Sequence, residues 1–224
     1  MIKIGNVLLS WLGHDGFKFV TPSGIFAIDP YRVVKASDDV ADVLFITHEH
    51  FDHCSPEDIA KVIGPDTIIV APEIAAECLA PFDNEKVFVK PFVEGEVGPV
   101  KFYTVPAYNV NKFKAPGVVF HPKEDGRVGY VLEIGGITFY HAGDTDLIPE
   151  METVRADVAM LPVSGVYVMT AEEAAEAVKL IQGVKVAIPM HWGTIVGSID
   201  DAIRFKELVE PLGIDVIIPE KEPW

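Results

Sequence analysis

The apolar positions of this chain fall into short runs separated by turn signals. Residues 7–12, 17–21 and 25–29 are rich in β-branched and aromatic side chains, and Thr21-Pro22-Ser23-Gly24 supplies turn chemistry between the last two. A three-strand meander is predicted there. Continuous apolar runs at 43–46, 68–71, 158–161, 184–189 and 216–218 read as buried strands, each near a helical pattern. Helices are predicted at 56–63, at 171–182 after the Thr170 cap with Glu173 in capping-box position, and at 199–212 after Ser198, stopped by Gly213. Strands and helices mix throughout, in an order that suits two sheets covered by helices. Periodicity alone gives only an α/β chain.

Composition narrows the class. The 224 residues can bury a sizeable core as one domain, 1–224, and no Pro/Gly/Ser-rich linker or repeat divides them. No apolar run approaches the roughly 20 residues needed to cross a bilayer, and Met1-Ile2-Lys3-Ile4 lacks the basic and apolar segments of a signal peptide. A cytoplasmic protein without a membrane partner is expected. The net charge of -16 argues against nucleic acid held along a basic face. One stretch reverses that sign: residues 106–123 carry Lys112, Lys114 and Lys123 and no acid, with Arg127 close behind. These lysines are either an anion-binding element or simply exposed side chains. Cys54 and Cys78 are too few for a disulfide framework in a chain this long, which suits a reducing compartment. Cys54 reads chiefly as a small buried residue at a helix start, with a ligand or redox role as the alternative.

The densest chemistry lies at His48-Glu49-His50-Phe51-Asp52-His53, directly after the run Val43-Leu44-Phe45-Ile46-Thr47. At an extended strand end residues two apart share a face, so His48 and His50 can close on one metal ion. If the chain then turns into a helix, Asp52 and His53 swing to the other side and can hold a second. Helix onset is signalled by Ser55 as N-cap, Pro56 at the first helical position and Asp58 three residues after the cap. Strand, metal loop, helix is the predicted layout.

With this motif the chain resembles the metallo-β-lactamase-fold hydrolases, whose His-x-His-x-Asp-His signature residues 48–53 match in full. Gly143-Asp144-Thr145 and His191 within Pro189-Met190-His191-Trp192-Gly193-Thr194 extend the resemblance. Trp11-Leu12-Gly13-His14-Asp15-Gly16-Phe17 and Ile28-Asp29-Pro30 look more particularly like the branch containing L-ascorbate-6-phosphate lactonase. The resemblance implies an α/β (α+β) four-layer αββα sandwich and two divalent ions, zinc or manganese foremost, with iron or nickel as alternatives. It implies that His48, His50, Asp52, His53, Asp144 and His191 are metal ligands. Asp144 would bridge, His191 would complete the second site, and Asp52 would also serve in catalysis as proton acceptor. Two divalent ions lower the pKa of water toward neutrality and polarise the bond to be cleaved.

The first site departs from the family pattern. Where many relatives place a third histidine after the strand at 100–105, Pro106-Ala107-Tyr108-Asn109 offers asparagine. Asn109 through its amide oxygen, His121 twelve residues on and His14 are the candidates near the metals, and an asparagine ligand would favour harder ions such as Mn²⁺. His141 is open between a packing role and a metal role, and Asp29 is expected to orient a ligand rather than bind metal. The expected substrate is a small anionic molecule, a phosphate ester or diester or a sugar-phosphate lactone, met by Lys112, Lys114 and Lys123 on a loop that closes as a lid. A thioester or β-lactam hydrolase of the same fold, and a metal-binding scaffold without activity, are the alternatives. A homo-oligomer is left open.

Overall fold

A computed structural model describes all residues, 1–224. The first sheet runs in spatial order through β1 (Ile2–Ile4), β2 (Val7–Gly13), β3 (Gly16–Thr21), β4 (Gly24–Ile28), β5 (Ala41–Phe45), β6 (Ile63–Pro72) and β7 (Lys86–Val89). Next in the chain come β8 (Glu94–Val97), β9 (Val100–Pro106) and a small hairpin of β10 (Phe113–Ala115) and β11 (Val118–Val119). Then follow β12 (Val128–Ile134), β13 (Ile137–His141), β14 (Val158–Pro162), β15 (Val186–Met190) and β16 (Asp215–Val216). The second sheet has the order β16-β15-β14-β13-β12-β9-β8. Each sheet starts antiparallel and ends parallel: β4 through β7 in the first, β13 through β16 in the second.

Side-chain alternation sorts the layers. Along β5 and the residue beyond it, Val43 and Phe45 join the large core between the sheets, whereas Leu44 and Ile46 join a smaller outer core with Ile59 and Val62 of α1 (Pro56–Val62) and Leu79 of α2 (Ala76–Leu79). Both faces of the strand are therefore buried, which is why it reads as an unbroken apolar run. Ala174, Ala177 and Val178 of α3 (Ala171–Leu180) and Ala202, Phe205 and Val209 of α4 (Ile199–Val209) pack on the second sheet. The result is the expected helix–sheet–sheet–helix order.

Local signals act largely as predicted. Thr170 and Glu173 form a full capping box, and so do Ser198 and Asp201. Ser55 caps α1, but the Asp58 carboxylate bonds instead to the backbone N–H groups of Arg32 and Val33, pinning the loop after β4. The last helix stops at Val209, short of the predicted 212, because Pro211 cannot continue it and a 3₁₀ turn takes over. The cysteines correct an expectation: Cys54 and Cys78 form a disulfide that ties the end of the metal-loop motif to α2. No helix is long and apolar enough to cross a membrane.

Candidate metal centre

Every strongly polar group singled out near the strand ends lies at one rim of the sandwich. The motif follows β5, Asp29 follows β4, Asp144 follows β13 and His191 follows β15, all at carboxyl ends of parallel strands. His14 sits in the turn between β2 and β3, and His121 lies between β11 and β12. His14, Asp29 and His191 hold left-handed backbone (φ 54°, 44° and 60°). For residues with a side chain that conformation is strained and persists where the surroundings impose it, which is common at functional sites.

Two clusters share one carboxylate. His48 Nε2 lies 3.1 Å from His50 Nδ1 and 3.8 Å from Asp144 Oδ2, and His121 Nε2 lies 3.5 Å from the same oxygen. The other oxygen, Asp144 Oδ1, is 3.3 Å from His53 Nε2 and 3.4 Å from His191 Nε2. Asp52 Oδ2 is 3.9 Å from His53 Nε2 and hydrogen-bonds His14 Nε2 at 3.0 Å. Each cluster has ligand-type atoms close enough to surround one ion.

Surrounding groups aim the imidazoles. His53 Nδ1 donates to Asp29 Oδ2 at 2.8 Å, and Asp29 also accepts from the backbone N–H and hydroxyl of Thr47. Thr47 Oγ1 lies 3.0 Å from His48 Nδ1, and Ser164 Oγ lies 2.9 Å from His191 Nδ1. With Nδ1 engaged, Nε2 is left to face an ion, as in metal sites generally. Glu49 is gripped by Arg127 through two guanidinium nitrogens, which steadies the loop between the first two histidines.

The buried atoms show whether an ion fits. His53 Nε2, His191 Nε2, Asp144 Oδ1 and both oxygens of Asp15 are buried without a hydrogen-bond partner. Leaving such groups unpaired costs on the order of 1–3 kcal/mol each, and a divalent cation among them would satisfy several together. The donor set of imidazoles and carboxylates suits zinc, manganese or iron.

Electrostatics divides the clusters. Burial holds His48 well below the usual imidazole range and His121 at about 4. Burial opposes charge on His53 and His191 too, but Asp144 with Asp29 raises the former well above its usual value, and Asp144 with Asp15 raises the latter to about 9. Burial likewise works against the Asp52 anion, yet His53 and His14 keep its carboxyl down at about 2.

The structure brings His48, His50, Asp52, His53, Asp144, His191, His14 and His121 together, but not Asn109 or the lysines. Asn109 Oδ1 accepts from the His121 backbone N–H at 2.9 Å, and its Nδ2 donates to the Tyr167 carbonyl at 2.8 Å. Its amide braces His121 rather than facing an ion. Lys112 is paired with Glu173 and Asp146, and Lys123 with Glu150; Lys114 is exposed on the hairpin. His141 serves the scaffold, its Nε2 donating to the Asp15 carbonyl and its Nδ1 accepting from Gly143 N–H. Sequence reasoning missed Asp15, fully buried, 3.4 Å from His53 Nε2 and pushed up to about 8 by burial. Its place beside His14 at a tight turn was the available signal. Ser164 carried no signal.

A cleft of about 310 Å³ opens over the centre, lined by His50, Asp52, His121, Asp144, Phe51, Phe120, Tyr167 and Ile195. A larger hollow, about 510 Å³, lies across β8, β9, β12 and β13 and holds none of the clustered groups.

Two sheets packed face to face between helices, with imidazoles and carboxylates gathered at one rim, define a metal-dependent hydrolase of the metallo-β-lactamase fold. A family model for the beta-lactamase superfamily domain matches residues 8–191. A UPF0173 metal-dependent hydrolase of Thermoplasma volcanium is 31% identical over 97% of each chain, and one of Methanopyrus kandleri is 33% identical over 96% of each. A solved structure from Parabacteroides distasonis, named as a candidate metal-dependent hydrolase, superposes with a TM-score of 0.80 at 29% identity, covering 96% of this chain and 94% of that one. Igni18, a metallo hydrolase of Ignicoccus hospitalis, shares the fold with a TM-score of 0.76 at 24% identity, over 96% of this chain and 95% of its own. The chain belongs to the beta-lactamase superfamily and, within it, to the UPF0173 metal-dependent hydrolases.

Proposed function

We propose that the centre holds two divalent ions, zinc or manganese foremost, and hydrolyses an ester bond. The observation that carries this reading is the division of Asp144, one oxygen toward His48 and His121 and the other toward His53 and His191. His48, His50 and His121 would hold one ion, Asp52, His53 and His191 the other, with Asp144 between. When bound, such ions make water nucleophilic near neutral pH and polarise the oxygen of the scissile bond.

The chain's own groups supply the rest. Asp52 stays ionised and reaches the cleft, and His14 donates to its Oδ2, so its carboxylate would serve as the proton acceptor. His14, held near 4 chiefly by burial, is neutral at pH 7 and donates its Nε2 proton to Asp52 without adding charge. Lys112 and Lys123 are neutralised by acids and no lysine or arginine lines the cleft, so the pull on an anionic substrate would fall to the ions. That favours a phosphodiester or a lactone over a multiply charged sugar phosphate.

Metal content and turnover of bis-p-nitrophenyl phosphate and a lactone panel provide the test. Two equivalents of metal, with turnover lost on chelation and restored by zinc or manganese, is the expected result. A single equivalent, or hydrolysis indifferent to chelation, contradicts the proposal.

A further inference from the structure

The mouth of the cleft has a chemistry that hydrolysis alone does not require. Phe51 occupies a spacer position of the His-x-His-x-Asp-His motif, yet its ring is 66% exposed, edge-on to Tyr31 with ring centres 5.8 Å apart. Phe120 packs edge-on against Tyr167 with ring centres 4.6 Å apart, and Ile195 also lines the cleft. Val110, Phe113, Val118 and Val166, all exposed, lie on the same bordering segments. An isolated exposed apolar residue is ordinary, but a concave group of them opening onto ionisable side chains marks a ligand site.

No lysine or arginine lines this cleft. Lys112 is paired with Glu173 and Asp146, Lys123 with Glu150, and Arg127 with Glu49 and Asp125, while Arg32 lies over the Tyr31 ring and reaches the Thr194 carbonyl outside the cleft lining. A net charge of -16 further disfavours a substrate whose far end is anionic. Tyr167 adds a constraint, since its backbone is left-handed (φ 69°) and its carbonyl is bonded by Asn109. The aromatic wall is thus fixed to the residue that braces His121.

We infer that the substrate carries an apolar or aromatic group beside its scissile ester, and that Phe51, Phe120, Tyr167 and Ile195 bind this group while the polar floor receives the ester. The inference rests on the hydrolase reading for the position of the ester, but not for the apolar contacts themselves. Hydrolysis of such a substrate releases an apolar alcohol or acid, so the reaction consuming the product handles a small amphiphile.

The test titrates the metal-loaded protein with methyl-, butyl-, hexyl- and phenylphosphonate by calorimetry. It also titrates loaded and chelated protein with butanol, hexanol and octanol, followed by ring-proton NMR of the cleft aromatics. Affinity is expected to rise by up to about fourfold per methylene over the first few carbons in both series. Phe51→Ser and Ile195→Ser should flatten that rise. A chain-length slope absent from the neutral alcohols, or unchanged by both substitutions, overturns the inference. Failure of methylphosphonate to bind, with the alcohol slope intact, counts instead against the metal-hydrolase reading.

Discussion

The two clusters that meet at Asp144 differ in nearly everything but that residue. The His48–His50–His121 cluster has imidazoles held neutral by burial and partly opens to solvent at His50, whose side chain is 40% exposed. The Asp52–His53–His191 cluster is acid-rich, with Asp15 as an extra buried carboxylate, and Asp29 and Ser164 aim its histidines. One draws its third histidine from an excursion beyond a hairpin; the other is built on strand ends. If each cluster holds an ion as proposed, the second should retain its ion longer and accept harder ions, and the first should be the more zinc-like and the more easily emptied.

Asp144→Ala should have the largest effect, since it removes the carboxylate common to both clusters. Metal content measured by plasma mass spectrometry should fall below one equivalent, with turnover at the detection limit. Retention of two ions would show that the clusters are independent. His121→Ala and His191→Ala come next and should each remove one ion. During slow dialysis against a chelator, the His191 variant should lose its remaining ion faster than the His121 variant does; the reverse order would break the proposed ranking.

Asn109→Ala should act more gently. It leaves the buried His121 N–H without its side-chain acceptor, though the two segments stay joined by the backbone bond from Asn109 N–H to the His121 carbonyl. Losing one such brace around a ligand typically lowers metal affinity by about 10–100-fold. Only the first cluster should respond, as read by competition with a chromogenic chelator. An equal loss in both clusters would sink the idea that His121 is the one metal ligand Asn109 braces.

Much of the arrangement is legible because local rules alone place the motif and the caps. Residues 48–53 needed only strand alternation and a helix cap, and the Thr170 and Ser198 caps fell where side-chain chemistry placed them. What stayed hidden depended on partners distant in sequence. Lys112 looks like an anion receptor until Glu173, 61 residues on, is found beside it. The choice between Asn109 and His121 turned on how an irregular loop folds back, which no periodicity encodes. Strand β12 carries a weak sequence signal because Gly129 interrupts its apolar run. Its lack of a Cβ is required there, since one would lie 2.7 Å from the carbonyl oxygens of His141 and Ala142. Two cysteines in a chain this long point away from a disulfide, whereas contact across 24 residues decides it.

The rim where the strands end belongs to both sheets at once. The first sheet contributes His14, Asp29 and the 48–53 motif; the second contributes Asp144 and His191, with His121 from the segment entering it. Ions seated there would act as rivets between the two halves of the chain. A ligand that binds only the folded form adds about 2.7 kcal/mol of stability at a hundred times its dissociation constant. Scarcity of metal would then loosen the seam between the sheets as well as halt the chemistry, and would shorten the lifetime of the molecule against proteolysis.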